Sequence, residues 1–166
     1  MSSRRTHHNT LQKSRTLKFV NSVQRRLFDY QFLGLENLDK SRPSILVGNH
    51  SIYAYDVAIM LVELKMQKDI ELRALGDRMH ATIPYWRDLL ENYGVVPGTP
   101  ENCTQLMSSK QHILVFPGGA REAFKRSGEE HRLFWKKRTG FARMAVANKY
   151  PITPFFVYGA DLGYDI

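Results

Sequence analysis

Two stretches of this 166-residue chain hold residue types that can move a proton and steady a negative charge. The first is "ILVGNHSIYAYDVAIMLVELK", residues 45–65, where His50 closes one apolar run and Asp56, six residues on, opens another. A histidine that donates one ring N–H to a carboxylate is held in one tautomer, and its other nitrogen becomes the better base. On one continuous helix His50 and Asp56 would stand about 120° apart, so they meet only if a loop folds back onto a helix start. The plainer alternative is a strand-end histidine satisfied by backbone and an aspartate that only caps a helix. The second stretch is "VFPGGAREAFKR", residues 115–126. Gly118 and Gly119 at a strand end let backbone N–H groups face an oxyanion, and Arg121 offers a planar fork for phosphate or carboxylate. Its plainer alternative is a glycine turn with solvated basic neighbours.

The elements that must position these residues follow from hydrophobic periodicity. Strands are expected at 44–48, 72–76, 94–96, 112–116 and 152–158, and helices at 55–66, 83–93, 100–108 and 133–149. Strands separated by helical stretches imply crossovers, hence one α/β domain with a largely parallel mixed sheet flanked by helices. Ligands of such sheets collect at the carboxyl ends of the strands, where His50 falls. Leu17, Val20, Val23, Leu27 and Tyr30 share one side of a further helical pattern over 11–33, with Arg15, Lys18, Arg25 and Arg26 mostly opposite. Such a basic amphipathic helix either anchors at a membrane interface or covers the domain's own core, and both can hold.

Charge and composition narrow the partners. Of the net charge of +8, residues 1–26 contribute seven basic side chains and no acid, so from residue 27 onward 17 bases face all 16 acids. The basicity belongs to the N-terminal arm, which suits an anionic surface. The single cysteine, Cys103, rules out an internal disulfide and is expected in or near the core. His80, His112 and His131 lack zinc-ligand spacing, and Ser51 lacks the glycine-flanked elbow of a serine hydrolase. No nucleic-acid module or phosphate-loop pattern is present. Arg132, Lys136, Lys137 and Arg138 read as a solvated helix face, or as a contact for headgroup or coenzyme A phosphates. Tyr85, Trp86 and Tyr93 are expected to pack the core or border an acyl-chain groove.

Taken together, Asn49–His50 through Asp56 and Phe116–Pro117–Gly118–Gly119–Ala120–Arg121 resemble the first and third blocks of the glycerolipid and lysophospholipid acyltransferase family (PlsC-like). "YGVVPGT", residues 93–99, and "YPITPFFVYGAD", residues 150–161, resemble the second and fourth. The chain departs from the common pattern in three places. His50 and Asp56 are one residue further apart, Gly118 stands where a glutamate is usual, and residues 95–99 lack the second block's arginine. With Glu122 in place, these departures look more like the branch holding type-2 diacylglycerol acyltransferases and transmembrane-protein-68-like enzymes. The resemblance implies an O-acyltransferase in which His50 is general base, Asp56 orients it, Gly118, Gly119 and Arg121 bind anionic groups, and Asn49 and Glu122 support them. It implies an acyl thioester of coenzyme A or acyl carrier protein as co-substrate, with neither a metal nor another cofactor. The expected setting is peripheral, on the cytoplasmic face of an anionic membrane, with a lipid alcohol as acceptor and no nucleic acid. The alternative is an inactive lipid- or acyl-CoA-binding domain of the same fold. The organisation expected is a disordered basic tail (1–10), a helical arm (11–40) and an acyltransferase domain (41–166). Because the chain stops at "GADLGYDI" just after a strand, part of that domain is expected to be missing.

Overall fold

The computed structural model describes residues 15–51, 55–77 and 85–162. The expected tail (1–10), residues 11–14 of the arm helix, His80, residues 83–84 of the third helix and residues 163–166 lie outside these, as does the side chain of Trp86. Among the described residues five strands are formed: β1 (Ile45–Val47), β2 (Leu72–Gly76), β3 (Val95–Pro97), β4 (His112–Val115) and β5 (Ile152–Pro154). They build one sheet in the order β3-β2-β4-β1-β5, with every pairing parallel, so the sheet is parallel throughout rather than mixed.

β1 reads Ile-Leu-Val and is buried at all three positions, as a parallel strand covered on both faces must be. Its alternation divides the core. Leu46 and Leu114 face α2 (Tyr55–Lys68), against Met60, Leu61 and Leu64. Ile45, Val47 and Ile113 face α4 (Pro100–Ser108) and α6 (Gly140–Ala147), against Cys103, Met107 and Ala145. Burial pushes the Cys103 thiol pKa up, as suits a residue that only packs. Thr99 begins α4 by accepting the Asn102 N–H at 3.2 Å, and Pro100 supplies the first helical residue, where an N–H is dispensable.

α1 (Arg15–Leu27) packs on α2, but through a different side from the one periodicity predicts. Leu17 and Gln24 are buried there and Val20 is half-buried, whereas Val23 and Leu27 turn outward. What draws α1 round is Glu63, an acid fully buried on α2. It accepts hydrogen bonds from Arg25 (2.8 Å), Tyr30 (2.7 Å) and Gln67. Burial alone would raise the Glu63 pKa, yet these donors hold it below the usual carboxylate range. A carboxylate buried without such donors would be costly.

Apart from small shifts at element ends, three boundaries differ from expectation. The arm is helical only to Leu27, the helix expected over 133–149 is α6 alone, and the last strand stops at Pro154. Residues before α6 are held in turns by the site described below. β5 is an edge strand that bears a proline, which lacks a ladder donor. Tyr85 is 88% exposed, so it packs no core. His131 is exposed and stacks on Tyr158.

His112 opens β4 on the Leu114 side and is buried, its ring nitrogens making no regular hydrogen bond among the described residues. Burial holds its imidazole pKa below 6.5, and the Lys40 backbone and Asp39 carboxylate offset this only in part. The unfolded chain therefore takes up this proton at a higher pH than the folded one. Stability is full above 6.5 and falls as pH drops from there through the folded-state pKa. The urea midpoint of the wild type should fall over this window, and that of His112→Leu should fall less. Parallel pH curves for the two proteins would show that another group governs the loss.

Candidate active site

The sheet order places β4 beside β1, so the turns leaving their carboxyl ends lie side by side. β1 runs out through Gly48 into His50. β4 runs out through Phe116 and Pro117 into α5 (Gly119–Ala123). A Cβ at position 48 would enter the ring of Phe155, so only glycine lets that ring lie against the turn. Phe155 meets Phe116 edge to face at 5.7 Å, and Phe116 stacks under the His50 imidazole at 4.1 Å. One face of the imidazole is thereby fixed.

Its edge is fixed by Asp56. Nδ1 of His50 lies 2.9 Å from Asp56 Oδ2, which also accepts the Ser51 N–H at 2.8 Å. Because the carboxylate can only accept, Nδ1 carries the proton and Nε2 is left with a free lone pair. Asp56 stands in the first turn of α2, where the helix dipole favours a negative charge. Its side chain is 1% exposed, and that of His50 is 14% exposed. The fold-back between strand and helix thus makes the pair that helical spacing alone forbids.

Asn49 and Glu122 hold the main chain on either side. Asn49 is buried, donating to the Val157 carbonyl (2.8 Å) and accepting the Val157 N–H (2.7 Å), which ties the turn to the chain leaving β5. Glu122, 1% exposed, accepts the His50 N–H at 3.0 Å through one oxygen and the Phe134 N–H at 3.2 Å through the other. Its side chain lies over Gly118 so closely that a Cβ there would overlap the carboxylate.

The remaining predicted residues are placed as follows. Gly118 is buried at the start of α5, and Gly119 closes the turn by donating its N–H to Phe116 at 3.0 Å. Arg121 points along the 124–134 segment. Its guanidinium lies 4.1 Å from the centre of the Phe134 ring, pairs with Glu129, and donates to the Phe124 carbonyl. None of these contacts reaches His50 or Asp56. Arg138 is unexpectedly central: one nitrogen donates to the carbonyls of Pro117 (2.9 Å) and Gly118 (2.7 Å). Sequence placed it on a solvated helix face, and nothing in its neighbours marks it otherwise. Phe116 carried a signal, since it stands inside the quoted glycine block. Lys125 and Asp161 form a buried ion pair at 2.7 Å, and Asp161 also accepts the His131 N–H at 3.0 Å. The segment before α6 is therefore anchored at His131, Phe134 and Arg138, which accounts for its failure to continue the helix.

The structure is thus an α/β protein with a hydrogen-bonded histidine–aspartate pair at the carboxyl end of a parallel sheet, beside a glycine turn. The family model described as Acyltransferase matches residues 29–158, and the chain belongs to that family. Among curated relatives, phytyl ester synthase 2 of Arabidopsis thaliana is 36% identical over 136 residues, covering 76% of this chain and 19% of its own. The bovine "DGAT1/2-independent enzyme synthesizing storage lipids" is 27% identical over 135 residues, covering 81% of this chain and 40% of its own. Diacylglycerol O-acyltransferase 1 of Saccharomyces cerevisiae is 32% identical over 98 residues, covering 58% of this chain and 23% of its own. The chain thus spans well under half the length of these relatives. No solved structure matches it. No helix among the described residues is long and apolar enough to cross a membrane.

Proposed function

We propose that this chain is the catalytic domain of an O-acyltransferase that moves a fatty acyl group from an acyl thioester to the hydroxyl of a glycerolipid or related lipid alcohol. The observation that carries this reading is the His50–Asp56 pair, 2.9 Å apart and locked by Phe116 and Glu122, with Nε2 unspent. In the reaction, the alcohol oxygen attacks the thioester carbonyl while His50 Nε2 takes its proton. Asp56 steadies the imidazolium. The tetrahedral intermediate then expels the thiolate, which recovers the proton from His50. The Gly118 amide is the donor we assign to the developing oxyanion, a contribution often worth about 3 kcal/mol. The Gly119 N–H already serves its turn.

The donor is coenzyme A or acyl carrier protein thioester, and its phosphates reach Arg121 only by competing with Glu129. With no arginine in residues 95–99, a neutral acceptor fits better than one bearing phosphate. The names of the relatives point to two acceptors, phytol and diacylglycerol. The setting is the surface of an anionic membrane, on its cytoplasmic face, where both substrates partition.

The test is direct. Purified protein, radiolabelled acyl-CoA and vesicles containing phytol or diacylglycerol should yield labelled ester. Binding of acyl-CoA or vesicles with no ester from either acceptor, nor from lysophospholipid, would favour the non-catalytic lipid-binding alternative.

A further inference from the structure

α1 has two apolar sides. The inner side, Leu17 with the neighbouring Gln24, is spent on the domain. The outer side carries Phe19, Val23 and Leu27, spaced four residues apart and therefore stacked in one ridge along the helix. They are 68%, 38% and 70% exposed. A helix needs one apolar stripe to pack on its domain, so a second needs a partner. Arg26 stands exposed beside Phe19, Lys18 is exposed on the polar side of the helix, and residues 1–26 contain no acid.

We infer that the ridge Phe19–Val23–Leu27 is a lipid-docking surface that seats the folded domain on an anionic bilayer, apolar side chains inserted, Arg26 against headgroups and Lys18 adding to the attraction. Charge complementarity selects lipid over a protein partner: a helix lying in the interface with basic residues beside its apolar face gains from both burial and anionic headgroups. The placement also bears on the reaction. The ridge ends at Leu27, and the next residue, Phe28, packs its ring 4.9 Å from that of Tyr55, the neighbour of Asp56. Docking through α1 therefore holds the first turn of α2, and with it the His50–Asp56 pair, directly behind the lipid-bound helix and near lipid substrates. That last step rests on the acyltransferase reading; the docking itself does not.

Co-sedimentation of the full chain with phosphatidylcholine vesicles, with and without about one third phosphatidylserine, tests the surface. The wild type should bind the anionic vesicles and release at high salt. Phe19→Ser/Leu27→Ser should weaken binding by about tenfold or more. Lys18→Glu/Arg26→Glu should abolish the preference for phosphatidylserine. All four side chains are exposed, so thermal melts should match the wild type, and transfer between detergent-dissolved short-chain substrates should be unchanged. A wild type that ignores both vesicles, or ridge variants that bind as tightly as wild type, overturns the inference. If no protein transfers acyl groups but the binding results hold, the catalytic reading fails and the docking surface stands.

Discussion

Replacing His50 with alanine is expected to lower acyl transfer by roughly 10²–10⁴-fold, the usual worth of a positioned general base. Among the described residues of the site, the imidazole is the group left free to accept a proton, since Asp56 is occupied by His50, Ser51 and Val57. The fold should survive. The side chain touches solvent, and its backbone N–H still reaches Glu122. Asp56→Asn supplies the sharper readout. An amide at that position can donate to Nδ1, which moves the ring proton to Nε2 and removes the base without removing the histidine. Activity should then fall by a similar order while the protein melts cooperatively. Wild-type turnover by either variant, measured with acyl-CoA and the acceptor that serves best, would dismiss His50 as the base.

Gly118→Ala should be the most damaging of the small changes. Its methyl group would overlap the Glu122 carboxylate, which is held by the His50 and Phe134 N–H groups and can retreat only by breaking those bonds. Overpacking of this kind costs about 1–3 kcal/mol. The relief available is for Glu122 to swing away, releasing the His50 backbone and the segment that carries Arg138. Transfer should fall by about tenfold or more, because small displacements of a base are costly, and the pH–rate profile should shift with it. Glu122→Gln separates shape from charge. Nearly isosteric, it turns an amide NH2 toward one of two N–H donors and should cost about 1–3 kcal/mol for the unpaired group. If Gly118→Ala keeps both the stability and the pH profile of the wild type, Glu122 does not hold His50 in place.

Much of this was legible in the chain. Ile45, Leu46 and Val47 are apolar in succession because a central parallel strand is buried on both faces, so the strand and its largely parallel setting can be read locally. Asn49 and Glu122 entered only through the family resemblance, whereas His50 and Asp56 were legible because they stand at a strand end and a helix start. There residue type and short-range spacing carry chemical meaning. The all-parallel form of the sheet, which covers β5 as well, came only with the pairing of distant strands.

Other features depended on contacts between distant segments. Residues 133–139 have a helical pattern, yet the Glu122 carboxylate and the Pro117 and Gly118 carbonyls claim Phe134 and Arg138. Those tertiary hydrogen bonds outweigh a weak local preference. Arg121 looked aimed at a substrate anion until Glu129 and Phe134 were placed beside it. On α1 periodicity shows apolar positions but not which of them faces inward, and the buried acid Glu63, 38 residues from Arg25, decided that. What the chain alone determined is a set of candidate groups for chemistry, because type and local spacing are properties of neighbours in sequence. Which of them meet, and which are spent on one another, was decided by the folded structure, because burial and hydrogen bonding join residues that sequence keeps far apart.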